Sequence, residues 1–297
     1  MRVASAPVSW GITEVAGLTA DVPYGEVLDE IARAGYGGTE LGPWGYLPTA
    51  PETLRADLAA RDLALVGAFV DVPIHDATLF AEGRAAVAQV VPLLAALQAP
   101  VLILSARQTP DRAAIAGRVG PGDGLSAAQW AAAGPYLAEL AQRARDAGLD
   151  AVFHHHCGTY VETPDEIAAL AERVDPNLLG LCLDTGHLVY GGGDPAAFLA
   201  TYGPAIRHVH LKNVDAAVVE HVRRAPLSYV EAVRAGVFCP LEAGLIDIPT
   251  TIAALRAEGY GGWLVVEQDV DRSVAGYPEP LAGATRARTF LQAAAGV

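Results

Sequence analysis

Three short apolar runs in the C-terminal half of the chain each end in side chains that can bind a metal ion. The first run ends in Asp184 and His187. The second ends in His208 and His210, and the third ends in Glu267. A strand buried in a protein core needs neither an imidazole nor a carboxylate at its end. The recurrence of this pattern on three successive strands therefore predicts a functional site where the strands end.

Strand patterns alternate with helix patterns along the whole sequence. The predicted strands cover residues 2–8, 38–42, 63–70, 101–105, 150–154, 178–183, 206–211 and 262–267. The predicted helices cover residues 24–34, 51–61, 80–97, 126–147, 164–174, 195–202, 249–258 and 280–295. Eight such alternations imply parallel crossover units and match the count of a closed (β/α)8 barrel, the TIM barrel. An open doubly wound sheet is disfavoured, because no Gly-x-Gly-x-x-Gly turn follows the first strand.

The sequence predicts one barrel domain over residues 1–297. No linker, low-complexity tract or charge block marks a second domain. The one long irregular connection, residues 213–245, follows the seventh predicted strand. Long loops on the C-terminal face of a barrel carry function, so we expect this segment to form a lid over the active face.

The C-terminal ends of the strands position the active site in this fold. The fifth to eighth predicted strands end at or next to His154, Asp184, His210 and Glu267. Inward residues alternate along each barrel strand, so these four side chains are expected to point at one place. Two imidazoles and two carboxylates favour a transition metal, with Mn²⁺ or Co²⁺ first and Zn²⁺, Fe²⁺ or Mg²⁺ as alternatives. Taken singly, each could instead be a turn former, a rim ion pair or a loop hydrogen-bond donor.

Composition limits the class of partner. The formal net charge is −14 and the sequence pI is about 4.9, which argues against a nucleic-acid backbone as ligand. The three cysteines form no Cys-x-x-Cys pair, and neither a signal-peptide run nor an 18-residue apolar stretch is present. We therefore expect a cytoplasmic enzyme that acts on a small molecule without a membrane partner. Alanine-rich outer helices would permit a homo-oligomer.

Several motifs resemble the xylose-isomerase-like barrel superfamily of sugar isomerases, epimerases and endonuclease-IV-type enzymes. They extend from the first predicted strand to the last, and more narrowly they resemble the inosose dehydratases of myo-inositol catabolism. The segments that carry the resemblance are Ala6–Gly11, Gly38–Gly45, His154–Thr159, Leu183–His187, His208–Asn213, Leu227–Phe238 and Val265–Asp269.

The resemblance implies a divalent metal held by Asp184, His210 and Glu267. The fourth ligand is His154, or Glu162 if His154 points away. Many superfamily members have a glutamate where this chain has His154, and isomerases of that type use two glutamates to move a proton. The loss of one favours a metal-dependent dehydratase that removes water from a keto-cyclitol, such as 2-keto-myo-inositol, through a metal-stabilised enolate. A ketose or keto-cyclitol isomerase or epimerase is the alternative, and an idle sugar-binding barrel is a third, disfavoured by the complete ligand set.

This chemistry needs a base, an acid and contacts to the substrate. Glu267 or a histidine is expected to take the α-proton. The candidates for the acid that protonates the departing hydroxyl are His156, His187 and Lys212. The candidate substrate-binding residues are Trp10, Trp44, Glu40 and His208, with the two indole rings as an aromatic wall for a cyclitol.

Overall fold

The eight predicted barrel strands form a closed parallel barrel in the computed structural model, which describes residues 1–18, 20–274 and 279–297. The strands are β1 Arg2–Ser5, β2 Gly38–Glu40, β3 Ala64–Val72, β4 Val101–Ala106, β5 Asp150–His154, β6 Leu179–Asp184, β7 Ile206–Leu211, β8 Asn213–Val214, β9 Phe238–Cys239 and β10 Trp263–Val266. Strands β1 to β7 and β10 close the barrel, while β8 and β9 form a separate antiparallel pair. The predicted (β/α)8 architecture is confirmed.

Helices surround the barrel in the order that the sequence predicts. They are α1 Tyr24–Arg33, α2 Pro51–Ala59, α3 Phe80–Ala96, α4 Pro110–Ala114, α5 Ala127–Asp146, α6 Pro164–Ala171, α7 Thr185–Tyr190, α8 Pro195–Tyr202, α9 Ala216–Arg224, α10 Tyr229–Arg234, α11 Ile248–Ala257 and α12 Pro280–Ala295. Capping residues set several starts: Ser126 and Thr163 each form a reciprocal capping box with the third helical residue. The short helices α4, α7, α9 and α10 were not predicted.

The barrel interior changes from apolar to polar along three of the strands, β5, β6 and β10. In the lower part, Val152, Cys182 and Val265 pack within two small buried clusters. Two residues further along the same strands stand His154, Asp184 and Glu267. Because inward positions alternate along a strand, the residue after next returns to the interior one layer higher. The apolar layers therefore form a floor beneath a polar upper layer.

The connection 213–245, named here the insertion, is ordered by its own hydrogen bonds. The pair β8–β9 closes it, and the Asn213 side chain donates to the carbonyls of Leu241 and Ile246 at 2.8 and 3.0 Å. The prediction of an irregular segment was wrong in detail, because helices α9 and α10 lie within it. Its Tyr229 and Phe238 are buried against the barrel.

One helical stretch of the described residues, Ala77–Ala96, is long and apolar enough by length and composition to cross a membrane. It includes α3, which packs against β3 and buries Val87, Val90 and Leu94. An apolar face of this kind is what a helix of the outer barrel layer requires.

A buried ion pair joins helices α4 and α6. Arg112 in α4 is 2% exposed and donates to both carboxylate oxygens of Glu166 in α6, at 2.8 and 3.0 Å. Glu166 also accepts from the backbone N–H groups of Glu162 and Thr163. Replacing only one residue of such a buried ion pair by a neutral residue is destabilising, because the charge of the other residue stays buried without its partner.

We expect Glu166→Gln to lower the free energy of unfolding by about 3–5 kcal/mol, because it removes the bidentate carboxylate partner of the buried Arg112 and leaves only Glu162 at 4.0 Å. Denaturant-induced unfolding followed by circular dichroism measures this loss. The matched control is Glu139→Gln, since Glu139 forms an equally bidentate pair with Arg84 whose side chains are 36% and 39% exposed. Water screens that pair, so its loss should be much smaller. Equal losses in the two variants would contradict the argument.

Candidate metal and active centre

Four side chains converge at the C-terminal end of the barrel. His154 Nε2 lies 3.5 Å from Asp184 Oδ2, and His210 Nδ1 lies 3.7 Å from the same oxygen. His210 Nδ1 is also 3.2 Å from Glu267 Oε2. Strand register produces this proximity, since Asp184 pairs with His210 across β6 and β7. The structure thus brings together the four ligands that the sequence predicts.

The donor set fits a divalent cation. Among the described residues, Asp184 Oδ2 and His210 Nδ1 are buried without a hydrogen-bond partner. Ligand atoms of Asp184, His210 and Glu267 all lie within 4.8 Å of one another. Burial disfavours the protonated form of His210, yet the surrounding negative groups raise its pKa well above the ordinary value. The negative groups around His210 therefore favour a positive charge at this place.

Glu40 supports the centre from the side. Its Oε1 accepts hydrogen bonds from His208 Nε2 at 2.7 Å and from His210 Nε2 at 2.9 Å. Burial raises the pKa of Glu40, but the two histidines outweigh burial and hold it below the usual range. The contact fixes the tautomer of His210 and turns Nδ1 toward Asp184 and Glu267. Glu40 also lines the cavity described below, so its predicted contact with substrate stays a prediction, whereas His208 does not line that cavity.

Glu162, the alternative fourth ligand, is bound elsewhere. Its carboxylate accepts from the backbone N–H groups of Gly117 and Gly158, both at 2.6 Å. It also lies 4.0 Å from the Arg112 guanidinium. Since His154 points at Asp184 and Glu162 points at these loops, the structure favours His154 as the fourth ligand.

A cavity of about 660 Å³ lies above the centre. The polar residues of the centre that line it are Glu40, His154, His156, His210, Lys212, Glu267 and Asp269. Trp10 and Trp44 do not line it, which corrects the predicted aromatic wall. Trp10 is 1% exposed and donates its indole N–H to Glu30 Oε2 at 2.7 Å. Trp44 is 43% exposed in the loop after β2.

The two remaining histidine candidates are neutral. His156 lines the cavity, and its Nδ1 donates to the Cys157 carbonyl at 2.8 Å, which leaves Nε2 as the basic nitrogen. Burial, with the charges of His154 and Lys212, lowers the pKa of His156 to about 3. Burial likewise lowers the pKa of His187 well below its usual value. The lowered pKa values disfavour the imidazolium form of both rings, so either ring could act as the predicted acid only after it has taken up a proton.

Lys212 is the charged group among the three acid candidates. Its ammonium lies 3.3 Å from Glu267 Oε2 and 3.4 Å from Asp184 Oδ2, and it faces the cavity. Burial opposes this charge, but the carboxylates of Asp184, Asp269 and Glu267 outweigh burial and raise the pKa of Lys212. Lys212 is therefore a fixed positive charge at the cavity floor.

Comparison with known proteins agrees with this architecture. The family model described as xylose isomerase-like TIM barrel matches residues 28–294. The chain belongs to the xylose isomerase-like TIM barrel family. The rhizopine catabolism protein MocC of Rhizobium meliloti is 33% identical over 271 residues, which cover 91% of this chain and 82% of that protein. The inosose dehydratase of Geobacillus kaustophilus is 33% identical over 283 residues, covering 92% and 89%.

The fold of the chain is also found in solved structures of other proteins. The crystal structure of the IolI protein with a bound zinc atom superposes with a TM-score of 0.72 at 14% identity, and the match covers 99% of each chain. An identity this low shows the common fold alone. Together with the full-length sequence relatives, it identifies the chain as a TIM-barrel enzyme related to the dehydratases.

Two residues of the centre, Asp269 and Tyr229, were not predicted from the sequence. Asp269 accepts from the Lys212 ammonium at 3.0 and 3.1 Å. Tyr229, in the insertion, donates its hydroxyl to Asp269 Oδ2 at 2.6 Å. Asp269 stands two residues after Glu267, on the inward side of the chain, and that spacing could have revealed it. No local signal connects Tyr229 to Asp269.

We expect Tyr229→Phe to lower the free energy of unfolding by about 1.5–3 kcal/mol, because it removes a hydrogen bond to a buried carboxylate. Tyr190→Phe is the matched control. The Tyr190 hydroxyl is also buried, but it donates to the neutral Ala116 carbonyl at 3.3 Å, so about 0.5–1.5 kcal/mol is expected. Thermal and denaturant unfolding measure both losses. A loss for Tyr229→Phe no larger than for the control would refute the proposed bond to Asp269.

Proposed function

We propose that the enzyme is a metal-dependent dehydratase that removes water from a keto-cyclitol such as 2-keto-myo-inositol. The observation that carries the proposal is the identity of the residues around the centre. An imidazole, His154, faces Asp184 where a second glutamate would be needed for the symmetric proton transfer of an isomerase. The inosose dehydratases among the full-length relatives support the same reaction. An isomerase or epimerase of a ketose or keto-cyclitol is the alternative function.

We propose His154, Asp184, His210 and Glu267 as the ligands of one divalent ion. Mn²⁺ and Co²⁺ suit this mixed set, with Zn²⁺, Fe²⁺ and Mg²⁺ as alternatives. The zinc atom in the structure of the IolI protein supports metal binding by a barrel of this fold. When bound, the ion supplies Lewis-acid polarisation of the substrate ketone.

Residues of the protein would transfer the α-proton of the substrate. His156 Nε2 is unprotonated and lines the cavity, so it takes the α-proton of the bound ketone. Lys212 donates a hydrogen bond to the oxygen that gains negative charge. The His156 imidazolium then returns its proton to the departing β-hydroxyl. The C–H and C–O bonds are broken, a C=C bond is formed, and water leaves.

The insertion would act as a lid in this reaction. Tyr229 and Val230 line the cavity from above, so a closed insertion excludes water from the reacting carbon.

The enzyme is proposed to work in the cytoplasm on a small polyol-derived ketone. Its net charge of −14 disfavours nucleic acid as a partner.

Turnover of 2-keto-myo-inositol by Mn²⁺-loaded protein, followed by mass spectrometry, tests the proposal. We expect a product lighter by one water molecule and complete loss of turnover after chelation. Unchanged mass with solvent deuterium incorporated would instead indicate the isomerase or epimerase reaction.

Two variants separate the residue roles in that assay. His156→Gln should lower kcat by about 10²–10⁴-fold, because it removes the base, while metal content is retained. Glu267→Gln should lose both metal and turnover. Full activity in His156→Gln would assign proton removal to Glu267 instead.

Glu40→Gln should weaken Mn²⁺ binding by about 10–100-fold, because a neutral amide no longer fixes and polarises His210. Isothermal titration calorimetry of metal-free protein measures the change. Glu30→Gln is the control, since Glu30 contacts Trp10 and not the centre. An unchanged affinity in Glu40→Gln would exclude this supporting role.

A further inference from the structure

The Lys212 ammonium is surrounded by the kind of ligands that bind a metal ion. Its Nζ lies 3.0 Å from Asp269 Oδ1, 3.1 Å from His187 Nε2, 3.3 Å from Glu267 Oε2 and 3.4 Å from Asp184 Oδ2. Three carboxylates and an imidazole nitrogen thus enclose one positive charge. We propose that Lys212 occupies the position of a second cation, so that the centre holds one divalent ion beside a cation built into the chain.

This inference rests on the proposed metal binding and adds the number of ions and the reason for it. A second donor set adjoins the four proposed ligands. Ligand atoms of His156, His187 and Asp269 lie within 4.8 Å of one another. Imidazole and carboxylate donors suit the same transition metals as the first set. The Lys212 ammonium contacts two of these three residues and therefore blocks them.

The sequence Asp-Thr-Gly-His at 184–187 holds Lys212 at several points. The Thr185 hydroxyl donates to the Lys212 carbonyl at 2.6 Å and accepts from its backbone N–H at 3.0 Å. Gly186 leaves room for the lysine stem, because a Cβ there would lie 2.6 Å from Lys212 Cγ. His187 then accepts from the ammonium. Each residue of this turn either binds the proposed metal or places Lys212.

The position of the ammonium is fixed from the insertion side as well. Phe238 presents its ring to the ammonium, with Nζ 4.9 Å from the ring centroid. Tyr229 donates to Asp269, which orients the carboxylate that contacts Nζ. Contacts from two barrel strands, helix α7 and the insertion leave the ammonium little freedom to move.

The negative charge around Lys212 equals the positive charge of one divalent ion plus one ammonium. Asp184, Glu267 and Asp269 bring three negative charges into contact with Nζ. A divalent ion and the ammonium balance these three charges. Without Lys212, at least one buried negative charge would be uncompensated beside the imidazoles of His156 and His187. Burial makes such a charge costly, so a second cation should bind in place of the ammonium.

Mn²⁺ titration of metal-free wild type and Lys212→Ala tests the inference. We expect one equivalent per chain in the wild type and two in the variant, measured by elemental analysis after dialysis. Two ions this close should couple magnetically, so the variant should lose the isolated six-line electron paramagnetic resonance spectrum that the wild type keeps. One equivalent in the folded variant would overturn the inference.

Propylammonium provides a matched rescue, because it replaces the atoms that Lys212→Ala removes. We expect it to return the variant to one Mn²⁺ equivalent, whereas uncharged 1-propanol should have no effect. Lys212→Ala/Asp269→Asn should also bind one equivalent, since it lacks a ligand of the second ion. Persistence of two equivalents in the double variant would place the second ion elsewhere and overturn the assignment.

The wild-type titration alone separates this inference from the proposed function. No bound Mn²⁺ in the wild type would overturn both. Two equivalents in the wild type would retain the metal enzyme but overturn the inference. This comparison stands even if Lys212→Ala fails to fold, a defect that circular dichroism would detect.

Discussion

The buried carboxylates of the centre, those of Glu40, Asp184, Glu267 and Asp269, are the constraint on which the rest of the site depends. An ionised carboxylate is stable inside a protein only where charge and hydrogen bonds replace its hydration. Two histidines serve Glu40 in this way, whereas Asp184, Glu267 and Asp269 all contact the Lys212 ammonium. A region so rich in negative charge requires positive charge at its middle, and that requirement makes it a cation-binding centre.

The barrel and the insertion supply the low-dielectric surroundings that give these charges their strength. Parallel register places Asp184 beside His210 and His210 beside Val265, so the polar layer begins at Asp184 and His210 on β6 and β7 and two residues after Val265, at Glu267, beyond β10. Apolar side chains fill the barrel below that level. Above it, Tyr229 and Phe238 of the insertion are buried. Electrostatic interactions between these layers are screened less than they would be in water.

The sequence was sufficient to predict what depends on periodicity, and insufficient for what depends on side-chain direction. Alternating patterns predicted the eight strands, and the residues at their ends predicted the convergence of His154, Asp184, His210 and Glu267. Tryptophan at position 10 indicated an aromatic surface, but nothing in the sequence showed that its indole turns toward Glu30. Helix α10 was missed although Ser228 and Glu231 form a capping box, a signal that was available locally. The contact of Tyr229 with Asp269 joins residues 40 apart and emerges only from the folded insertion.

The centre has His154 where a symmetric isomerase site would have a second glutamate, and this difference bears on the reaction. Inverting a sugar carbon requires a proton to leave one face and return to the other, so a base is needed on each side. Eliminating water requires one group that removes a proton and delivers it to a leaving hydroxyl. The Cys157 carbonyl fixes the tautomer of His156 and leaves its other nitrogen unprotonated, while Lys212 keeps its charge among the carboxylates. One neutral base beside one permanent cation suits elimination better than it suits inversion.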